Sequence, residues 1–196
     1  MLKIDESNPW KVHSTAVEFD SRYFVARQDI VSMGDGTPRI YSSIRTKYYG
    51  VCVAPIDSDG HVTLVGQYRY VLDCYTWELP GGGAALGEND LDVAKAELRE
   101  ETGLQADHWL RVTKGGASVG LSDEVDSGYV AWGLRQGRPN PDPVERLSFR
   151  RVPFGEAVDM VLRGEVAHLL GSAILLSIQV RLHRGELPEN LASLIR

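Results

Sequence analysis

The chain has 196 residues, 43% of them hydrophobic and 24% charged, with a formal net charge of −6 at pH 7. That length suits one domain, or one domain with an extension, and allows about 70% of the unfolded surface to be buried; the composition is that of an ordinary soluble globular protein. The acidic balance counts against non-specific nucleic-acid binding, which rests on a basic surface, so an anionic substrate must be met locally, by metal and arginine.

The opening Met1-Leu2-Lys3-Ile4-Asp5-Glu6 has no apolar core of the kind a secretory signal carries, and a cytoplasmic location is expected. Residues 11 to 48 read as β-rich: Val12 to Phe19, Tyr23 to Val31, a turn through Gly34-Asp35-Gly36, then Arg39 to Lys47. Gly50 to Ile56 is a further strand, returning through Asp57-Ser58-Asp59-Gly60 as His61 to Tyr70. Tyr75-Thr76-Trp77-Glu78-Leu79 then runs into Pro80 and a glycine loop, with Trp77 read as a core residue. Cys52 and Cys74, without a CxxC spacing, read as reduced core thiols.

Asn89 or Asp90 can cap the next helix and Gly103 can end it in a left-handed conformation, so about 13 residues between them should be helical. Leu91, Ala94 and Leu98 form its apolar stripe, and Glu97, Glu100 and Glu101 fall in a band beside it. Trp109 to Thr113, Ser127 to Leu134 and Leu147 to Val152 follow as strands, Phe154 to Arg163 and Val166 to His183 as helices. The apolar run His168 to Val180 is too short to span a bilayer and should be a buried helix, so no membrane partner is expected. Gly116-Ala117-Ser118-Val119-Gly120 has the spacing of a serine-hydrolase elbow, but a β-like run follows where that chemistry needs a helix. The five histidines show no metal-ligand spacing and read as structural or exposed. Strands first and helices later indicate a mixed sheet between helices.

The three glutamates need an explanation. Like charges at i, i+3 and i+4 repel, and negative charge near a helix C-terminus is itself disfavoured. A hard divalent cation would offset both, because Mg²⁺ takes oxygen ligands and is held by a few carboxylates together with substrate phosphates. The preceding glycines let backbone approach a ligand closely, and no Gly-Lys-Ser or Gly-Lys-Thr follows to make a Walker loop.

Gly82, Glu88, Glu97, Leu98, Glu100, Glu101, Gly103 and Leu104 together resemble the signature of the Nudix hydrolases. One position departs: Ala96 stands where the family has an arginine that orients a glutamate one turn on. Asn8-Pro9-Trp10-Lys11-Val12, Gly66-Gln67-Tyr68-Arg69, Trp77-Glu78-Leu79-Pro80-Gly81-Gly82, Ser122-Asp123-Glu124 and Arg150-Arg151-Val152-Pro153-Phe154 resemble the ADP-ribose and nucleotide-sugar pyrophosphatase branch. The resemblance implies an α/β fold, the Nudix α/β/α sandwich with a mixed sheet, over residues 49–196. It also implies an N-terminal antiparallel β extension over residues 1–48, through which two copies form a homodimer.

By the same resemblance, Glu97 and Glu101 are the principal ligands of Mg²⁺ or Mn²⁺, Glu100 shares or bridges, and the Gly81 carbonyl completes the shell. Glu88 and Glu78 are assigned outer or water contacts. The general base falls on the loop before the last strand, at Glu145, with Glu100 and Asp142 as the other candidates. Arg69 would meet phosphate oxygens and Glu124 the hydroxyls of a sugar. The implied reaction is hydrolysis of a nucleoside diphosphate sugar, ADP-ribose or similar, to a nucleoside monophosphate and a sugar phosphate. Ala96 keeps open a non-catalytic or weakly active nucleotide sensor on the same scaffold. A third reading is a Nudix enzyme for another diphosphate, with the acidic charge counting against RNA.

Overall fold

The computed structural model describes residues 7–138 and 146–196. It divides into two compact units, one holding the chain up to Tyr48 together with Gly116–Glu124, the other Tyr49–Gly115 and Val125–Arg196.

In the first unit, β1 (Lys11–Asp20), β2 (Phe24–Ser32) and β3 (Arg39–Thr46) form an antiparallel sheet in the order β1-β2-β3. The β-branched residues Val12, Thr15, Val17, Val25, Ile30 and Val31 suit such a pleated surface. Gly34 and Gly36 take φ values of 59° and 76° in the β2–β3 turn, a region where a Cβ is disfavoured. Pairing of β2 with β3 is regular from Phe24↔Thr46 to Val31↔Arg39, whereas β1 slips register twice against β2. Gly116–Glu124 adds to this unit: the Ile44 N–H donates to the Leu121 carbonyl at 2.8 Å. The Ser118 carbonyl accepts from Leu121 and Ser122 in a tight turn, so the Gly-x-Ser-x-Gly spacing does not lead from strand to helix and no hydrolase elbow is built.

The second unit is a mixed sheet carrying helices on both faces. Its strands are β4 (Tyr48–Ile56), β5 (His61–Arg69), β6 (Cys74–Glu78), β7 (Gly81–Ala85), β8 (Leu104–Gly116), β9 (Val125–Gln136) and β10 (Ser148–Pro153). The central order is β10-β5-β4-β9-β8, with β6 paired to β5 and β7 to β4. The parallel pair β4–β9 runs from Val51↔Ser127 to Ile56↔Trp132. The helices are α1 (Asp90–Thr102), α2 (Phe154–Leu162), α3 (Leu169–Arg184) and α4 (Glu189–Ile195).

Alternation along the central strands splits the core in two. Val51 and Val53 of β4, with Tyr129 and Ala131 of β9, pack with Ala94 and Leu98 of α1. Cys52, Ala54 and Ile56, with Val130 and Trp132, face the other way onto Phe154, Met160, Ile174, Ile178 and Leu191 of the remaining helices. This two-sided burial makes the α/β/α sandwich.

Several expectations are corrected. The glycines after Pro80 form a strand, β7, rather than a loop, because their backbone pairs with β4. The apolar run after His168 is not buried all round: α3 buries Gly171, Ile174, Leu175 and Ile178, while Leu169 is 79% exposed. Cys74, at the start of β6, is exposed and not a core thiol. Helix α4 was not foreseen, and β8 is longer than Trp109 to Thr113.

Candidate active site

Helix α1 is bounded by local chemistry. Asn89 Oδ1 accepts from the N–H groups of Leu91 and Asp92 at 3.0 and 3.2 Å, and Gly103 closes the helix at φ 75° with its N–H on the Arg99 carbonyl. Buried Ala94 and Leu98 then turn Glu97 and Glu101 towards β7, against which α1 packs.

Two glutamates meet the glycine strand in different ways. Glu101 is buried and accepts a hydrogen bond from the Gly81 N–H at 3.0 Å. Half-buried Glu97 lies with its carboxylate against Gly82, so close that a Cβ there would come 2.2 Å from Oε1. Gly81 is needed for another reason: a Cβ would stand 2.2 Å from the Val51 carbonyl and 2.7 Å from Cys52 Sγ. Glu100 is exposed, 3.3 Å from Arg99 Nη2. Among the described residues, no group of three or more His, Cys, Asp and Glu side chains is arranged to hold a metal ion. The donor chemistry of Glu97 and Glu101, two carboxylates on one helix face against bare backbone, fits a hard divalent cation.

Glu88 Oε2 accepts from the Ala85 N–H at 2.7 Å and so ties the turn between β7 and α1. Glu78, buried at the end of β6, is held by three donors: Arg69 Nε at 2.8 Å, Arg69 Nη2 at 2.5 Å and Thr76 Oγ1 at 2.6 Å. Burial pushes its carboxyl up, and the hydrogen bonds from Arg69 and Thr76 with the guanidinium charge outweigh that, leaving it below the usual carboxylate range. The bidentate pair fixes the Arg69 fork at the end of β5.

Arg69, Gln67, Glu78, Gly81, Glu101 and His168 line one cavity of about 290 Å³. His168 was not singled out by its sequence; its Nδ1 lies 3.6 Å from Sγ of Cys52. Burial, then the charges of Glu101 and Glu78, push the Cys52 thiol far up. Asp126, also buried, accepts from the Gly50 N–H at 2.5 Å; burial raises its carboxyl above the ordinary range despite that bond. Trp77 is half-buried, with the Arg150 guanidinium 5.9 Å from its ring centre. Glu124 is half-buried in the first unit, its carbonyl accepting from Ala117 at 3.3 Å. Glu145 and Asp142 lie outside the described residues.

A NUDIX domain matches residues 46–169, which takes in the glycine strand, α1 and His168. The chain belongs to the Nudix hydrolase family. An ADP-ribose pyrophosphatase of Mycobacterium tuberculosis is 35% identical over 159 residues, covering 79% of this chain and 76% of that protein. A methanol dehydrogenase activator of Bacillus methanolicus is 34% identical over 57% of this chain and 61% of its own length. The crystal structure of an ADP compounds hydrolase superposes with a TM-score of 0.82, covering 94% of this chain at 20% identity, and shows the same fold. Against the Nudix signature, Ala96 is half-buried, Lys95 pairs with Asp92 at 3.6 Å, and it is Arg99 that contacts Glu100. No helix among the described residues is long and apolar enough to cross a membrane.

Proposed function

We propose that this Nudix hydrolase is a Mg²⁺-dependent pyrophosphohydrolase of nucleoside diphosphate sugars, with ADP-ribose the first substrate to test. The observation that carries the reading is the pair of carboxylates, Glu97 and Glu101, pressed on Gly82 and Gly81 in the half of the sheet that also holds the Arg69 fork. Similarity to the mycobacterial ADP-ribose pyrophosphatase over most of both chains supports the substrate class.

In this reading Glu97 and Glu101 hold the cation, with Glu100 sharing it and the Gly81 carbonyl adding a ligand. When bound, Mg²⁺ or Mn²⁺ would neutralise diphosphate oxygens and lower the pKa of a bound water. Arg69, oriented by Glu78, binds a phosphate oxygen and leaves the carboxylate partner ionised. Glu145 takes a proton from the attacking water; water oxygen bonds to one phosphorus, the bridging P–O bond breaks, and the departing phosphate leaves with that bond's electron pair. Glu124, a residue of the first unit, is assigned by the family resemblance alone as a hydrogen-bond acceptor for a sugar hydroxyl. The enzyme works as a homodimer through residues 8 to 48, whose β1 is exposed along all ten residues, and in the cytoplasm, where free Cys52 and Cys74 stay reduced.

A substrate panel with Mg²⁺ and Mn²⁺, reading phosphate released after phosphatase treatment, tests this: ADP-ribose or another sugar nucleotide should yield a monophosphate. Tight binding of a sugar nucleotide without turnover would replace the enzyme by a sensor, the reading Ala96 favours. Light scattering that finds only a monomer near the 21.7 kDa chain mass at micromolar concentration would remove the dimer.

A further inference from the structure

Two cavities of the second unit share a wall. One is the cavity of about 290 Å³ at the glycine strand; the other, of about 510 Å³, is bordered by Tyr70, Val71 and Leu72. Arg69, Glu78 and His168 line both. Glu78 orients Arg69 through Nε and Nη2, and Arg69 already has its part in the proposed reaction, which leaves His168 as the shared residue whose role is unaccounted for.

His168 stands at the N-cap of α3, yet its ring makes no cap hydrogen bond. Nδ1 meets the Cys52 thiol instead. A thiol that donates its S–H to Nδ1 leaves the neutral ring's own hydrogen on Nε2, the arrangement adopted here. In that tautomer the nitrogen left for a ligand is a donor, beside the positive end of a 16-residue helix.

We propose that His168 donates from Nε2 to a phosphate oxygen of the substrate where the two cavities join, with Cys52 a positioning residue that fixes the ring. The inference rests on the proposed substrate class: a diphosphate would span the junction, its phosphate oxygens at Arg69 and His168, with the adjoining group in the cavity beside Tyr70, Val71 and Leu72. Tyr70 and Val71 are 92% and 90% exposed, so that second cavity offers apolar surface to the less polar end of the molecule.

Steady-state kinetics with ADP-ribose on His168→Ala, His168→Gln and His168→Asn tests the contact. His168→Ala should raise KM about tenfold, the scale of one hydrogen bond to a charged group, and leave kcat within about threefold. Glutamine can carry an N–H to the place of Nε2 and should recover most of the loss; asparagine reaches only the place of Nδ1 and should not. A merely structural histidine would show no such order. ¹⁵N-histidine spectra give a readout independent of turnover: ADP should shift one Nε2 resonance, the one missing in His168→Gln. An unchanged KM in His168→Ala, or an Nε2 signal that ADP leaves in place, overturns the inference while the proposed function stands. A wild-type protein that hydrolyses no nucleotide sugar refutes the proposed function, and the ADP titration then still decides the role of His168.

Discussion

Replacing Gly82 with alanine sets a methyl group 2.2 Å from Glu97 Oε1 and 2.4 Å from its Cδ. Ordinary contact distance requires the carboxylate to retreat by roughly 1 Å. Glu97 is the far end of a flexible side chain on α1, so the retreat costs little stability, under about 1 kcal/mol, and Tm should move by no more than about 2–4 °C. A displacement of about 1 Å in a positioned group is worth about a hundredfold in rate. Gly81→Ala is the control: its methyl meets the Val51 carbonyl and the Cys52 backbone, which cannot swing aside. Overpacking there should cost about 1–3 kcal/mol, a Tm lower by about 2–12 °C. Thermal denaturation and initial rates with ADP-ribose on the two variants separate the effects. If Gly82→Ala hydrolyses the substrate as fast as wild type, the carboxylate does not act from the position described. If both variants lose the same Tm, the distinction between side-chain and backbone contact is wrong.

Glu101→Gln keeps the shape and an acceptor for the Gly81 N–H but removes the charge, so kcat should fall by about two orders of magnitude or more with nearly unchanged Tm; a loss below tenfold would take Glu101 out of the cation site. Glu78 has a folded pKa below its unfolded value; its contribution is therefore complete above the unfolded carboxylate range and is lost as pH falls through the folded pKa. Denaturant titrations of wild type and Glu78→Gln should accordingly differ near neutrality and converge in acid below the ordinary carboxylate range, and a constant difference would contradict the ion pair with Arg69. Asn89→Ala removes the acceptor for two N–H groups at the start of α1 and should cost about 1 kcal/mol, read as a drop in Tm of about 2–4 °C; no drop would mean the cap is replaced by water.

Helix α1 was legible from local rules because every determinant lies within it or one residue away: Asn89 caps, Gly103 turns left-handed, and Ala94 and Leu98 set the buried face. The strand pattern of residues 11 to 70 was legible for a similar reason, since β-branched alternation and glycine turns act over a few residues. Glycines carry no side chain to reveal alternation, so the strand Gly81–Ala85 was read as a loop until β4 supplied its partner. Which glutamates face the glycines was undecided by helical spacing alone, because Glu97, Glu100 and Glu101 share one band; packing buried Glu101, set Glu97 on Gly82 and left Glu100 outside beside Arg99. His168 lies 116 positions from Cys52, and no local pattern ties an imidazole to a thiol at that distance. The sequence by itself determined the signature helix, its caps and the kind of chemistry its carboxylates suit, all consequences of short-range hydrogen bonding and periodicity. The tertiary structure alone decided which of those carboxylates meets backbone and which distant groups share their cavity, since burial and cross-sheet contact depend on how strands far apart in the chain are brought side by side.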